Sequence, residues 1–420
     1  MSRMKILWFS NTPANADEYF NSELKGTGGW LKSLDREMQD KVDLHVAFYV
    51  DFPQKEFKYM KTHYYPINKF KNKFEKIRTR LLNIEIKEKD TEKYLAVVNT
   101  VKPDLIHIHG TEYPFISIIG KINIPVVVSI QGNLTVYQHK FYSGVESKYS
   151  SMKSNDSLIK IIFYPTTFKK SFKAFIERSK IEQKYLDKCK YVLGRTDWDK
   201  RITRILAPES KYFHSDEILR DGFYNNKWEN PENKDFVIFT TNGNNIYKGF
   251  ETICESLFML NKLGKKVKWR IAGINENDLI VKVVKKKLKN RYPQQNLELL
   301  GNLRESELIK NLIKSNIYVM PSHIENSPNN LCEAMILGMP CIATYVGGTG
   351  SLMDDRKEGI LIQDGDPWSM AGAILEMKNN YKSAIKMGIK AREKALERHD
   401  KEKIIFKLVR IYDGVVNEKK

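Results

Sequence analysis

The chain is poor in cysteine, short of acidic residues relative to basic ones, and without any long apolar run. Four cysteines stand in 420 residues: Cys189, Cys254, Cys332 and Cys341. No two form a CxxC pair, so the sequence encodes neither a zinc cluster nor a disulfide framework. A reducing cytoplasm is the expected compartment. No apolar stretch reaches the roughly 18 residues that a membrane-spanning helix requires. The apolar run that ends at Phe9 is too short for the core of a secretion signal. A soluble protein is expected, attached to a membrane at most by its surface. Asp and Glu number 51 against 70 Lys and Arg, a formal charge of +19. That balance excludes an acidic solvating protein and points to an anionic partner. Nucleic acid, an anionic membrane and a phosphorylated small molecule all satisfy it.

What is present is core-forming material. Hydrophobic residues make up 41% and charged residues 29%, the balance of a globular protein. At roughly 100–200 residues per domain the length suits two or three domains. Short apolar runs at 4–10, 42–50, 104–109, 125–130 and 191–194 read as buried strands separated by helical segments. The pattern restarts near 235, with strands expected at 236–241, 268–273, 297–300, 317–321, 341–344 and 360–362, and a helix at 250–263. Such alternation implies βαβ units and parallel sheets. Segment 221–234, rich in Asn, Gly, Pro and charge, reads as a linker. The expected architecture is α/β, with two facing Rossmann-like domains at 1–222 and 235–399 and a linker at 223–234. Sheets of this kind bind ligands at the carboxyl ends of their strands, which places the site in an interdomain cleft. The amphipathic segment 400–420 suits a helix that either crosses back to the first domain or packs on its own.

The most informative stretch is 321–350, PSHIENSPNNLCEAMILGMPCIATYVGGTG. Glu325 sits in a polar loop just after a strand. Glu333 follows in an apolar helical stretch that Gly338 and Pro340 end. Both carboxylates would face the carboxyl edge of the sheet. An ionised carboxylate accepts from adjacent hydroxyls, so the pair suits a hydroxyl-rich ligand. The loop Gly347-Gly348-Thr349-Gly350 would expose backbone amides ahead of a helix, an anion site. Hydroxyls together with phosphate are the chemistry of a nucleotide sugar. His323, close to Glu325, suits either the site or a structural role. His107 and His109 share one face of their strand. His107 suits a satisfied core position, and His109, at the strand's end, suits a site.

These motifs resemble the retaining glycosyltransferases of family 4, which have the GT-B fold. The resemblance is carried by the Glu-x7-Glu spacing of Glu325 and Glu333, the EAM and G-x-P-x-I-A pieces after it, and the GG loop. It extends over most of the chain through the first strand with GTGGW, the strand DLIHIHG, Tyr247-Lys248-Gly249, and the closing ILIQDGDP. It implies that Glu325 and Lys248 are the catalytic pair. Glu325 would contact the donor's sugar hydroxyls beside the anomeric carbon. Lys248 would bind the diphosphate and stabilise the leaving group. Glu333 would hold the ribose. Asn326, Asn329, Asn330 and Leu331 would line the sugar pocket, with Asn244 also on the donor side. Gly28 and Gly29 would let backbone approach the phosphates, and Asn302 and Leu303 would face the base. His109, Gln131 and Asn133 would lie on the acceptor side. Neither a metal nor another cofactor is required; the nucleotide-diphosphate sugar is the co-substrate. The chain departs from the family at three places. Gly243 stands where an Arg usually precedes the Lys, Gln131 where many members carry a His, and Ser351 where a Glu often follows the GG loop. Gln cannot act as a base at neutral pH, so Gln131 and Asn133 are expected to position the acceptor.

Other motifs read as structural. Asp364-Gly365-Asp366 matches a metal-binding DxD, but Asp366-Pro367 ahead of a helical stretch is a natural cap with proline at the first helical position. Asp197-Trp198-Asp199 is likewise a helix start. No acidic residue other than Asp51 follows the second strand, and GTGG lies well beyond the first one, so no dinucleotide cofactor is expected. Basic residues cluster with aromatic ones at 69–84 and 157–180. The first cluster has helical spacing and suits an anionic bilayer surface. The leading reading is a hexosyltransferase acting on a glycan or lipid-linked glycan in bacterial surface polysaccharide assembly, cytoplasmic and peripheral to the membrane's inner face. A nucleotide-sugar epimerase on the same fold is the alternative. A nucleic-acid-binding protein has only the charge in its favour and no recognition motif, so no nucleic-acid partner is expected.

Overall fold

Residues 3–20, 29–52, 54–70, 90–152, 167–232 and 234–418 are described by the computed structural model. They fall into two units: 1–138 with 173–220 and 399–420, and 139–172 with 221–398. This division differs from the expected boundaries. Residues 139–172, taken from the first half of the sequence, belong with the second unit. Segment 221–232, read as a linker, also packs there. Trp228 is buried, its backbone N–H donates to Leu337 O at 2.7 Å and its indole N–H to Ser315 O at 2.7 Å. A composition rich in Asn and Pro hid one anchoring tryptophan.

The first unit holds an eight-stranded sheet. Its strands are β1 Lys5–Ser10, β2 Asp43–Val50, β3 Phe57–Tyr59, β4 Thr62–Asn68, β5 Leu105–His109, β6 Val126–Ser129, β7 Tyr191–Gly194 and β8 Lys211–His214. The order is β3-β4-β2-β1-β5-β6-β7-β8, parallel except for β3 against β4. Buried strands need apolar side chains on both faces, and β5 is buried at every position. Leu7, Phe9, Tyr94, Phe115 and Ile116 form part of the core on one side. Three strands escaped the sequence reading for the same reason: none is a clean apolar run. β3 is a three-residue edge strand, β4 carries Pro66 within THYYPIN, and β8 is exposed at both ends.

The second unit holds a six-stranded parallel sheet of β9 Phe236–Thr241, β10 Val267–Ala272, β11 Leu297–Gly301, β12 Ile317–Met320, β13 Cys341–Thr344 and β14 Gly359–Ile362. Its order is β11-β10-β9-β12-β13-β14. The chain winds outward from β9 to β11, then returns to the other side of β9 at β12. The loops after β9 and β12 therefore part in opposite directions and leave a crevice at their carboxyl ends.

The last helix, Lys401–Asn417, belongs to the first unit. Its fully buried Tyr412 hydroxyl meets the Trp8 indole N–H at 3.1 Å and His107 Nδ1 at 2.5 Å. Ser129 Oγ lies 2.6 Å from the other ring nitrogen. His107 is thus a satisfied core residue, and burial pushes its pKa down to about 3. No helix of the described residues is long and apolar enough to cross a membrane. Replacing Tyr412 with Phe removes the partner shared by Trp8 and His107. We expect the first unit to lose roughly 1–3 kcal/mol, the cost of stranding buried polar groups. Chemical denaturation followed by tryptophan fluorescence measures it.

Candidate functional site

The crevice of the second sheet is built by the loop after β9, residues 242–249, and the loop after β12, residues 321–328. The two are stitched together. Gly249 has φ +73°, and a Cβ there would stand 2.1 Å from the Pro321 carbonyl oxygen. Only glycine allows this approach. The backbone N–H of His323 donates to Tyr247 O at 2.8 Å. Between these ties, Lys248 Nζ sits 2.5 Å from Glu325 Oε1. Ser322 Oγ donates to the same oxygen at 2.7 Å. The Glu325 side chain is 7% exposed and that of Lys248 is 25% exposed, so the pair is open to the crevice from the lysine side. Burial works against the Lys248 ammonium, but the Glu325 carboxylate and Tyr247 beside it leave its pKa above the ordinary lysine value.

The GG loop has a structural job beside Glu325. Gly347 has φ +50°, and a Cβ there would lie 1.9 Å from Glu325 O. The Gly348 N–H donates to that same carbonyl at 3.0 Å. The Thr349 and Ser351 amides donate to Val346 O and Gly348 O at 3.0 and 2.9 Å. These amides are engaged inside the loop, and a short turn, Thr349–Ser351, follows rather than a long helix. The loop therefore braces Glu325 from behind.

Helix Asn329–Leu337 carries the remaining donor-side candidates. Glu333 is buried on it, and Asn326 in the preceding loop is buried too. Asn330 Nδ2 donates to Thr241 O at 2.9 Å, which ties the helix to the end of β9. Asn329 Oδ1 is buried without a hydrogen-bond partner among the described residues. The Leu331 side chain lies in the core. Asn244 is engaged elsewhere in the unit: its Oδ1 accepts from Ile280 N at 3.1 Å, at the start of helix Leu279–Leu288. Asn302 is exposed and Leu303 half-buried, just beyond β11.

Sequence reading left the role of His323 open and passed over its partners. The His323 ring is buried. Its Nε2 lies 2.6 Å from Glu251 Oε1 and its Nδ1 3.3 Å from Asp364 Oδ2. Burial disfavours the charged ring, yet the two carboxylates hold its pKa above the ordinary 6.5. Asp366 caps the following helix through Ser369 N at 2.9 Å, with Pro367 at the first turn. The DGD triplet is thus a histidine partner followed by a helix cap. A second missed participant is Ser322, whose only sequence signal was its place beside Glu325.

In the first unit, His109 ends β5 and is 3% exposed. Its ring stands 4.7 Å from that of Trp8 and 3.9 Å from that of His107. Neither ring nitrogen has a hydrogen-bond partner among the described residues, and burial holds its pKa well below the ordinary value. A cavity of about 30 Å³ adjoins it, lined also by Trp30, Gln131, Arg195 and Glu217. Asn133 Oδ1 caps the turn after β6 by accepting from Val136 N at 3.1 Å. Glu182 fixes that turn, accepting from Leu134 N at 3.1 Å, from Thr135 N at 2.7 Å, and from the Thr111 hydroxyl. Gly29 opens helix Gly29–Met38 with the Arg220 stem against it, leaving no room for a Cβ. Gly28 lies outside the described residues.

Comparison with known proteins agrees with this geometry. The chain is 29% identical over 133 residues to N-acetyl-alpha-D-glucosaminyl L-malate synthase of Bacillus anthracis, covering 32% of this chain and 34% of that one. It is 29% identical over 169 residues to poly(ribitol-phosphate) alpha-N-acetylglucosaminyltransferase of Staphylococcus aureus, 40% of this chain and 33% of the relative. The matched region thus spans about a third of the length of these curated relatives. Among solved structures, a sucrose-phosphate synthase from Thermosynechococcus elongatus superposes with TM-score 0.70 at 14% identity, over 99% of this chain and 100% of that one. At that identity the likeness shows the fold, which is GT-B, with a Rossmann-like α/β sheet in each unit. Residues 223–394, which include Lys248, Glu325 and Glu333, match the family described as glycosyl transferases group 1.

Proposed function

We propose that this chain is a retaining glycosyltransferase that moves a hexose from a nucleoside-diphosphate sugar to a glycan or lipid-linked glycan acceptor. The observation that carries the reading is the Lys248–Glu325 pair at the strand-order reversal of the second sheet, inside the segment that matches group 1 glycosyl transferases. In the free protein the ammonium and carboxylate satisfy each other. A bound diphosphate gives Lys248 a stronger anionic partner and opposes the charge that develops on the leaving group. Glu325, still held by Ser322, is then free to accept from the sugar hydroxyls. Glu333 meets the ribose, with Asn326, Asn329 and Asn330 around the sugar, Leu331 backing them from the core, and Asn302 and Leu303 near the base. Gly28 and Gly29 adjoin the phosphates. The acceptor hydroxyl attacks from the leaving-group face as the anomeric bond breaks with oxocarbenium character, and the departing phosphate takes its proton. His109, Gln131 and Asn133 form the acceptor side. The reading assigns phosphate charge to Lys248 and requires no metal.

Replacing Glu325 with Ala should lower turnover by at least roughly 100-fold with the fold intact, since it removes the group beside the reacting carbon. Release of nucleoside diphosphate from a panel of nucleotide sugars, with circular dichroism as control, measures it. Unchanged turnover would refute the assignment.

The His323 ring gives a pH signature. Its folded pKa is raised, so its stabilising charge is fully present below 6.5 and is lost as pH rises through the raised value. Stability of the second unit should therefore fall on the alkaline side, and H323Q should flatten that slope in urea titrations run across pH.

A lipid-linked acceptor would bring the first half of the chain to an anionic membrane. The basic segment 69–84 lies outside the described residues beyond Phe70, and part of the segment at 157–180 forms helix Phe168–Leu186. Sedimentation with phosphatidylglycerol vesicles at low salt, reversed at high salt, is the expected result. No binding at low salt would remove the membrane from the reading.

A further inference from the structure

Residues 139–149 reach the second unit's crevice edge from the first half of the sequence, and their seat there is built. Gly144 has φ +78°, and a Cβ on it would stand 2.0 Å from Glu251 Oε1 and 2.7 Å from His323 Nε2. Its carbonyl accepts from Lys287 Nζ at 2.8 Å. The Phe141 ring lies 6.1 Å from that of Tyr247, the residue next to Lys248. Beside it, Lys140 Nζ stands 3.4 Å from Asp364 Oδ2.

The charges gathered here are unequal in freedom. Lys248 is held by Glu325, and His323 lies between Glu251 and Asp364. Lys287 is tied to Gly144 O and lies 3.6 Å from Glu255. Lys140 has one long ion pair and a side chain that is 45% exposed. The Glu325 carboxylate already stands beside Lys248, and those of Glu251 and Asp364 beside His323. A diphosphate arriving beside Lys248 adds more negative charge than one lysine offsets. Charge-assisted contacts to phosphate need a cation that can move onto it at small cost, and a flexible ammonium on a half-exposed stem meets that need.

We propose that Lys140 is a second phosphate-directed cation of the donor site, exchanging its long contact with Asp364 for the diphosphate of the nucleotide. This rests on the donor reading given above. It assigns to residues 139–149 a role in nucleotide binding and makes Asp364 the resting partner of Lys140, with no ligand role of its own.

Calorimetric titration of UDP, GDP and UMP into the full chain tests it. The wild type should bind one diphosphate more tightly than its monophosphate. K140A should weaken diphosphate binding roughly ten-fold, the value of one charge-assisted contact, and monophosphate binding less. K140R should stay within about three-fold of the wild type, because the charge is kept. D364N should bind the diphosphate as well as the wild type or better, since it frees Lys140. Equal diphosphate affinity in K140A would overturn the proposal alone. So would a matching loss in D364N, because Lys140 would then act only through its pair with Asp364. A wild type that binds none of these nucleotides would overturn the donor reading and this inference with it.

Discussion

The Lys248–Glu325 ion pair is the interaction around which the second unit is arranged. It joins residues that are far apart in sequence and lie in two loops parted by the strand-order reversal. A carboxylate that is nearly buried cannot stand unpaired at small cost. Every nearby element serves to hold it. Gly249 lets the lysine loop touch the Pro321 carbonyl, Gly347 lets the GG loop touch the Glu325 carbonyl, and Ser322 donates to the carboxylate itself. Both glycines have positive φ and would place a Cβ inside a backbone oxygen, so these positions tolerate no side chain. The pair leaves its lysine accessible, which fits a site that exchanges an internal anion for an external one.

Burial lowers the pKa of His107, His109 and His323 alike, and their neighbours decide the net direction. His107 and His109 lie among apolar groups and hydroxyls, where desolvation has no opposing carboxylate, and both are held neutral. His323 is also buried, but Glu251 and Asp364 outweigh desolvation and raise its pKa.

Much of this was legible beforehand. β9 matches the expected run at 236–241, because an apolar segment bounded by polar turns has few alternatives. Glu325 and Glu333 are legible by their Glu-x7-Glu spacing, Glu325 in a polar loop just after a buried strand and Glu333 in the apolar helix that follows. Less legible were features that depend on partners distant in sequence. The GG loop suggests an anion cradle by its glycines, but no local pattern shows that the Gly348 amide donates to Glu325 O. The resemblance puts Asn244 on the donor side, yet its side chain serves a helix start. Segment 221–232 has linker composition, but its Phe223 and Trp228 side chains are buried and anchor it to the second unit.

The sequence by itself determined the class of fold, two series of β and α elements, because hydrophobic periodicity is a local property that each segment carries. It also determined which groups could do chemistry, since carboxylates, lysine and positive-φ glycines are identities. Only the tertiary structure decided their pairing. Strand order brings the loops after β9 and β12 to one crevice, and that order is set by packing over the whole sheet. The same holds for residues 139–149, whose place beside Tyr247, His323 and Asp364 depends on ring packing and a glycine turn that no local pattern announces.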